Sequence, residues 1–332
     1  MAETFKALLV KEESGKFFRE ITERKFSDLP DGEILMEVRY SSLNYKDALS
    51  AIGNKGVTKV YPHVPGIDAA GIVAESYSEK FKSGEEVLIT GYDLGMNTPG
   101  GFAGFISVPA DWVIKLPQNL SLKESMILGT AGFTAALSLY KLELNGLKQD
   151  SGEVLITGGT GGVGSMAAAI LSKAGYDVTV STGKPEEENY LKSLGVKNIL
   201  HRSDVQDKSG KPMLKGRYAA VIDTVGGTTL ETAIASVKMF GSVALCGLVE
   251  SPKFSTTVYP FILRGINLLG INSAETKMDL RLKLWEKLSG EWKPDKLNEM
   301  YVEHSLEELN NDIDLILQGK LKRKVLVNLN KN

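Results

Sequence analysis

The chain has 332 residues, a formal net charge of −2 and a single cysteine, Cys246. That length allows two domains and a sizeable core, and the near-neutral charge excludes a nucleic-acid or anionic-membrane binder held by bulk charge. One cysteine forbids an intramolecular disulfide and fits a reducing compartment; with no apolar run long enough to span a bilayer and no basic-then-apolar leader in Met1–Ala7, a cytoplasmic protein is expected.

In chain order, residues 1 to about 123 read as short strands between turns. Ala7–Val10, Gly32–Tyr40, Ile72–Glu75 and Glu86–Thr90 are the candidates, the second alternating apolar and polar residues as a half-exposed strand does. Turns at Leu29-Pro-Asp-Gly32 and Lys82-Ser-Gly84 separate them, and the spacing predicts a compact β-barrel-like domain. The texture changes near Leu122. Ser121-Leu-Lys-Glu124 is a capping box ahead of an apolar helix, and a second helix is expected from about Phe133 to Leu142. From Glu153 to about Ser273 strands alternate with helices, as in a doubly wound parallel sheet. Its candidate strands are Val154–Ile156, Tyr176–Ser181, Asn198–Leu200, Ala219–Asp223, Ser242–Cys246 and Asn267–Ile271. Residues 276–290 read as an amphipathic helix, Leu306–Leu317 as another, and Lys324–Leu329 as a closing strand that returns to the first domain.

The stretch from Val154 to Ser165 joins a buried strand to a helix through G-x-G-x-x-G, filled by Gly159, Gly161 and Gly164. The first glycine permits the turn, the second lets backbone approach a pyrophosphate, and the third lets helix pack on sheet. The helix N-terminus then offers free N–H groups and a positive dipole end to an anion. The motif is weak alone; here its strand and helix are both present. About twenty residues on, where an NAD-binding unit puts an acid for the ribose 2′-hydroxyl, stand Ser181 and Thr182, then Gly183 and Lys184. Hydroxyls and a lysine there, with Arg202 after the third strand, favour NADPH.

Three segments carry a family resemblance: Asn44-Tyr-Lys-Asp47, Pro65-Gly-Ile-Asp-Ala-Ala-Gly71 and Gly129-Thr-Ala-Gly-Phe-Thr134. Over nearly its whole length the chain resembles the medium-chain dehydrogenase/reductase superfamily. In the zinc-dependent alcohol dehydrogenase branch a cysteine stands where Asn44 is, a His-Glu pair where Ile67-Asp68 is, and a cysteine near Thr130. The cysteine-rich lobe is missing too, so no metal is expected; Asp47 and Asp68 remain as a possible carboxylate pair. The sequence looks like the zinc-free quinone oxidoreductase branch. Leu43–Asp47, Tyr190–Gly195, Ile222–Gly226, Ala244–Leu248 and Tyr259–Arg264 are closest to its acrylyl-CoA reductase subgroup.

The resemblance implies a Rossmann-type α/β domain, residues 124–274, inserted in a GroES-like β-barrel catalytic domain, residues 1–123 and 275–332. It implies a homodimer joined through the sheet edge near Asn267–Ser273. It also implies an NADPH-dependent two-electron reductase of a small-molecule acceptor, either an activated C=C bond or a quinone. By resemblance the cofactor contacts come from Thr160, Gly161, Gly162 and Val163, from Ser181, Thr182 and Gly183, and from Arg202, Leu248, Ile262 and Ser273. As to roles, the Asn44 amide is a candidate donor to a substrate carbonyl, and Tyr45 a proton donor or a ring stacked on the nicotinamide. Asp68 is expected to orient Asn44 or Lys46, and Asp47 is a helix cap or ion-pair partner or else a catalytic carboxylate. Lys55, Lys59 and Arg264 are candidate anchors for the phosphates of a CoA ester, and Cys246 reads as inert core. Two alternatives stand beside this: a short-chain reductase, disfavoured because no tyrosine is followed by Lys at Tyr-x-x-x-Lys spacing, and a non-enzymatic NADPH-binding redox sensor.

Overall fold

The computed structural model describes residues 3–331. The chain divides into two compact units, residues 1–130 with 274–289 and 297–332, and residues 131–273 with 290–296.

The first unit begins with a ten-residue antiparallel pair, β1 (Thr4–Glu13) and β2 (Lys16–Lys25). Next come β3 (Ile34–Ser42), helix α1 (Tyr45–Ala51), β4 (Asp68–Ser76), β5 (Glu86–Thr90), β6 (Phe105–Val108) and β7 (Ile114–Lys115). Strand β3 buries alternate residues along most of its length, as its sequence requires. Helix α1 is held by Ala48 and Ala51, which pack with Leu8, Val10, Leu43, Phe102 and Val325 in one apolar core. That core fixes the loop and helix start on which Asn44–Asp47 sit.

Helix α2 (Leu122–Leu144) is continuous except at Gly129, whose φ of 50° and ψ of −156° are not helical. The two expected helices are thus one element with a break. Its start is the expected capping box: Ser121 N–H donates to Glu124 Oε2 (3.0 Å) and Glu124 N–H to Ser121 Oγ (3.2 Å). The unit border falls between Thr130 and Ala131, just after the break, and not at residue 123 where the change of texture suggested it.

The second unit holds β8 (Val154–Ile156), α3 (Gly162–Lys173), β9 (Val178–Thr182), α4 (Glu188–Ser193), β10 (Asn198–His201), β11 (Tyr218–Asp223), α5 (Gly227–Ser236), β12 (Val237–Leu245), α6 (Tyr259–Arg264) and β13 (Asn267–Gly270). These strands form one parallel sheet in the order β10-β9-β8-β11-β12-β13. Every residue of β8, β9 and β11 is buried, as strands covered on both faces must be. Residues 290–296 also belong to this unit, where the Asp295 carboxylate meets Lys173 Nζ at 2.6 Å.

The chain then completes the first unit with α7 (Met278–Ser289), β14 (Tyr301–His304), α8 (Leu309–Leu317) and β15 (Lys324–Asn328). The main sheet runs β14-β15-β3-β4-β5-β7, with β6 also on β3. Strand β15 is antiparallel to β3, with Leu326 opposite Ser42, so the closing strand returns to the first domain as expected. Among the described residues no helix is long and apolar enough to cross a membrane.

Candidate functional site

Each unit carries one cluster of chemical interest. In the first unit it is built around Asp68, the first residue of β4, which is fully buried. Its Oδ2 accepts hydrogen bonds from Ser42 Oγ (2.5 Å), Asn44 Nδ2 (2.8 Å) and the Thr130 backbone N–H (2.9 Å), and its Oδ1 accepts from Thr130 Oγ1 (2.6 Å). The break at Gly129 makes this possible, because it turns the Thr130 N–H out of the helix toward the carboxylate. A Cβ at Gly129 would lie 2.5 Å from Asp68 Oδ2 and 2.7 Å from Ser42 Oγ.

Asn44 stands at the N-cap of α1. Its second amide hydrogen reaches the Ser42 carbonyl at 3.2 Å, and its Oδ1 accepts from Lys324 Nζ at 3.5 Å. A carboxylate can only accept and an ammonium can only donate, so the amide is held in this one orientation. Both amide hydrogens are therefore engaged, and the expected donor to a substrate carbonyl has none to spare. Asp68 does orient Asn44. It does not orient Lys46, whose Nζ lies 3.8 Å from Met96 Sδ.

Asp47 is a cap and a brace. Its Oδ2 accepts from the Asn44 backbone N–H (2.8 Å), and its Oδ1 from those of Ile67 (2.8 Å) and Gly66 (3.2 Å). Burial, then the nearby Asp68 charge, push its carboxyl up to about 7 against these bonds. Both of its oxygens are thus held in backbone bonds, the helix-cap role among those expected of it. Tyr45, the first residue of α1, is half-buried.

Sequence reasoning missed Lys324. It reads as the polar start of an apolar strand, and only pairing of β15 with β3 brings it to Asn44. It is 7 % exposed; burial lowers its pKa, against the nearby Asp68 and Asp47 charges that raise it.

The donors at Asn44, Ile67, Asp68 and Thr130 are an amide, no side-chain donor, one saturated carboxylate and a hydroxyl. That set does not suit zinc, which takes thiolate, imidazole or carboxylate in a tetrahedron. Among the described residues no three His, Cys, Asp or Glu side chains gather as a metal site.

In the second unit the strand order reverses between β8 and β11, and the crevice outside the carboxyl ends of strands at such a reversal is where ligands bind in open α/β sheets. The Gly-rich turn leaves β8 there. The left-handed residue is Gly158 (φ 64°), one before the expected first glycine. Gly159 serves another purpose, since a Cβ there would fall 1.8 Å from Val180 Cγ1. At Gly164 a Cβ would lie 2.3 Å from the Gly158 carbonyl oxygen, so the third glycine permits close packing of α3 as expected. Gly161 is the N-cap of α3, and both it and Gly162 are exposed. The first-turn N–H groups of Gly162, Val163 and Gly164 have no partner within the helix and can receive an anion.

Next along, Thr182 ends β9. Its Oγ1 lies 3.2 Å from Thr160 Oγ1 and accepts from the Lys184 N–H at 3.1 Å, while the Ser181 carbonyl accepts from the Gly159 N–H at 3.0 Å. A Cβ on Gly183 would come within 2.9 Å of Arg202 Nε, so the guanidinium lies over Gly183. The structure thus brings Gly159–Gly164, Ser181–Lys184 and Arg202 together. Leu248 and Ile262 are 54 % and 68 % exposed, on the loop after β12 and on α6, two strands away. Ser273 Oγ bonds Thr134 Oγ1 at 2.9 Å. Arg264 is spent on structure, donating to the Ala235, Val237 and Leu214 carbonyls, and Lys55 pairs with Glu12 at 2.6 Å, so neither stands ready for a CoA phosphate; Lys59 remains exposed. The Cys246 thiol, donating to the Asp223 carbonyl and pushed up to about 12 by burial, is unreactive, as its apolar strand suggested.

A barrel-like unit interrupted by a nucleotide-binding parallel sheet defines a two-domain dehydrogenase or reductase. Residues 30–118 match the alcohol dehydrogenase GroES-like domain, and residues 162–289 the zinc-binding dehydrogenase family. The Putative quinone oxidoreductase YhfP of Bacillus subtilis is 44 % identical over 330 residues, 99 % of this chain and 100 % of that one. Acrylyl-CoA reductase AcuI of Ruegeria pomeroyi is 41 % identical over 98 % of this chain and 99 % of its own. YhfP with NAD bound superposes with a TM-score of 0.96 (43 % identity, 99 % and 100 % covered), and Escherichia coli YhdH with bound NADPH with one of 0.95 (38 %, 98 % and 100 %). The chain belongs to the medium-chain dehydrogenase/reductase superfamily, in the branch of the quinone oxidoreductases and acrylyl-CoA reductases.

Proposed function

We propose that this oxidoreductase takes a hydride from NADPH to reduce the C=C bond of a small α,β-unsaturated carbonyl compound, with an acryloyl-CoA-like thioester the specific acceptor. The observation that carries the cofactor half is Arg202 over Gly183 at an acid-free end of β9. NADPH, when bound, supplies the hydride. Its residues of this chain are the Gly-rich turn and the first turn of α3 for the pyrophosphate, and Thr182, Lys184 and Arg202 for the 2′-phosphate. Gly161 and Gly162, exposed and without side chains, leave the room a pyrophosphate needs.

The acceptor half rests on the Asp68 cluster. Hydride delivery to a β-carbon puts negative charge on the carbonyl oxygen, and in the absence of a suitable metal donor set that charge must be met by hydrogen-bond donors. Loss of one such donor typically costs about 3 kcal/mol, or 10²–10³-fold in rate. Tyr45 beside the cluster is the candidate proton source for the α-carbon. The reading includes a homodimer through β13, an edge strand of its sheet flanked by exposed Val258, Ile262 and Leu263, and sedimentation at micromolar concentration measures it.

The deciding experiment is stopped-flow NADPH oxidation with acryloyl-CoA, simple enones and quinones. Turnover of the first two above the third supports this reading, and turnover of quinones alone replaces it with a quinone reductase. If nothing oxidises NADPH, the chain is a non-catalytic NADPH-binding protein.

A further inference from the structure

Lys324 is a buried cation with most of its bonding capacity unspent. An ammonium carries three N–H donors. Among the described residues its one hydrogen bond is the 3.5 Å contact to Asn44 Oδ1, at the limit of such a bond. Buried donors are normally satisfied, and a buried charge more strictly so, because desolvation costs it heavily. Asp68 and Asp47 supply compensating charge nearby, but the oxygens of Asp68 are turned to Ser42, Asn44 and Thr130, and those of Asp47 to backbone N–H groups. The ammonium lies among the positions that carry metal ligands in the zinc-dependent branch. A Cβ on Gly129, next to Thr130, would lie 3.2 Å from Nζ, so the glycine lets the ammonium and the Asp68 carboxylate come up close to the break in α2.

We infer that Lys324 is a catalytic residue of the acceptor site, donating its free N–H groups to the acceptor's carbonyl oxygen and so doing with a fixed ammonium what a metal ion does in the zinc-dependent relatives. This rests on the reading of the chain as an enone reductase. The ammonium donates hydrogen bonds throughout and keeps its protons. As the β-carbon gains the hydride pair, the C=C electrons move to the carbonyl oxygen, and the charge there lies against Nζ until the α-carbon is protonated. Asn44 is then a positioning residue, holding the ammonium from one side through Oδ1 while Asp68 holds the amide.

The test uses Lys324→Met, which keeps the volume and removes the charge. Because the change leaves the buried Asp68 without its compensating charge, some loss of stability follows whatever the role of Lys324, and the readouts that discriminate are kinetics and binding below the melting temperature. The expectation is a fall of at least a hundredfold in kcat/KM for an enone, with NADPH affinity within twofold. Lys324→Gln serves in the same assays if the Met variant does not fold. Independently of turnover, acrylate, whose carboxylate carries permanently the charge a thioester oxygen gains in passing, should bind at least tenfold more weakly to the variant in calorimetry. If the wild type reduces nothing yet acrylate binding depends on Lys324, the site stands and the reductase reading falls. If acrylate binds wild type and variant alike, or the variant reduces enones at the normal rate, the role of Lys324 is overturned.

Discussion

Asn44 stood out from the sequence because it occupies a family position, but which of its atoms are available depends on neighbours far away in the chain. Ser42 and Asp68 take its hydrogens and Lys324 its oxygen. Asn44→Ala should lower turnover at least tenfold with little change in NADPH affinity, by releasing Lys324 and Asp68 from one another; steady-state kinetics with fluorescence titration check both halves. Asp47 bears a different consequence. Its folded-state pKa, about 7, lies above the ordinary carboxylate value, so the folded chain binds this proton more tightly than the unfolded one. The stabilisation is complete below about pH 4 and is lost as pH rises through about 7; three pH units correspond to roughly 4 kcal/mol at most. The difference in stability between wild type and Asp47→Asn, measured by urea melts at several pH values, should shrink across that window. A constant difference would show that Asp47 is ionised throughout. In the second unit, Arg202→Ala should abolish a preference of at least tenfold for NADPH over NADH, about 1.4 kcal/mol, leaving NADH binding intact.

At the scale of elements, the strands of the second unit were legible because each is a short apolar run between turn signals. In the first unit β2 was not, because its ten residues carry Lys16, Arg19, Glu20, Glu23, Arg24 and Lys25 and show no buried residue at all. Strands β6 and β7, of four and two residues, are too short for a periodicity to declare itself. The Gly-rich motif was found by its spacing, yet the turn is made by Gly158 and Gly159 is small for the sake of Val180. Spacing cannot say which of two adjacent glycines bends the chain. Both packing sites are testable. Gly164→Ala sets a methyl 2.3 Å from a backbone oxygen that cannot swing aside, and Gly159→Ala sets one 1.8 Å from Cγ1 of the buried, β-branched Val180. Both should lower stability and NADPH affinity, as thermal melts with and without cofactor would measure. The break in α2 was read beforehand only as a gap between two helices, the second from about Phe133, and the structure confines it to Gly129.

Over the whole molecule, the two-domain plan followed from the change of texture near Leu122 and the return of the closing strand, while the border itself moved to Thr130 because a helix carries on past the change. Activity should survive prolonged dialysis against a chelator, since Asn44, Ile67 and Thr130 offer zinc nothing to hold; loss of turnover restored by added zinc would contradict this. Strand β15 enters the sheet between β14 and β3, next to a strand made among the first fifty residues. Synthesis on the ribosome runs from the N-terminus, so the edge of β3 waits uncovered until Lys324–Asn328 have left the exit tunnel. Residues 131–273, by contrast, hold every strand of their own sheet and can close while the rest is still being made. The last strand to arrive also brings Lys324. A nascent chain, or one clipped by a protease before residue 324, should therefore capture NADPH and hold it idle, so that the hydride has no acceptor until translation is complete.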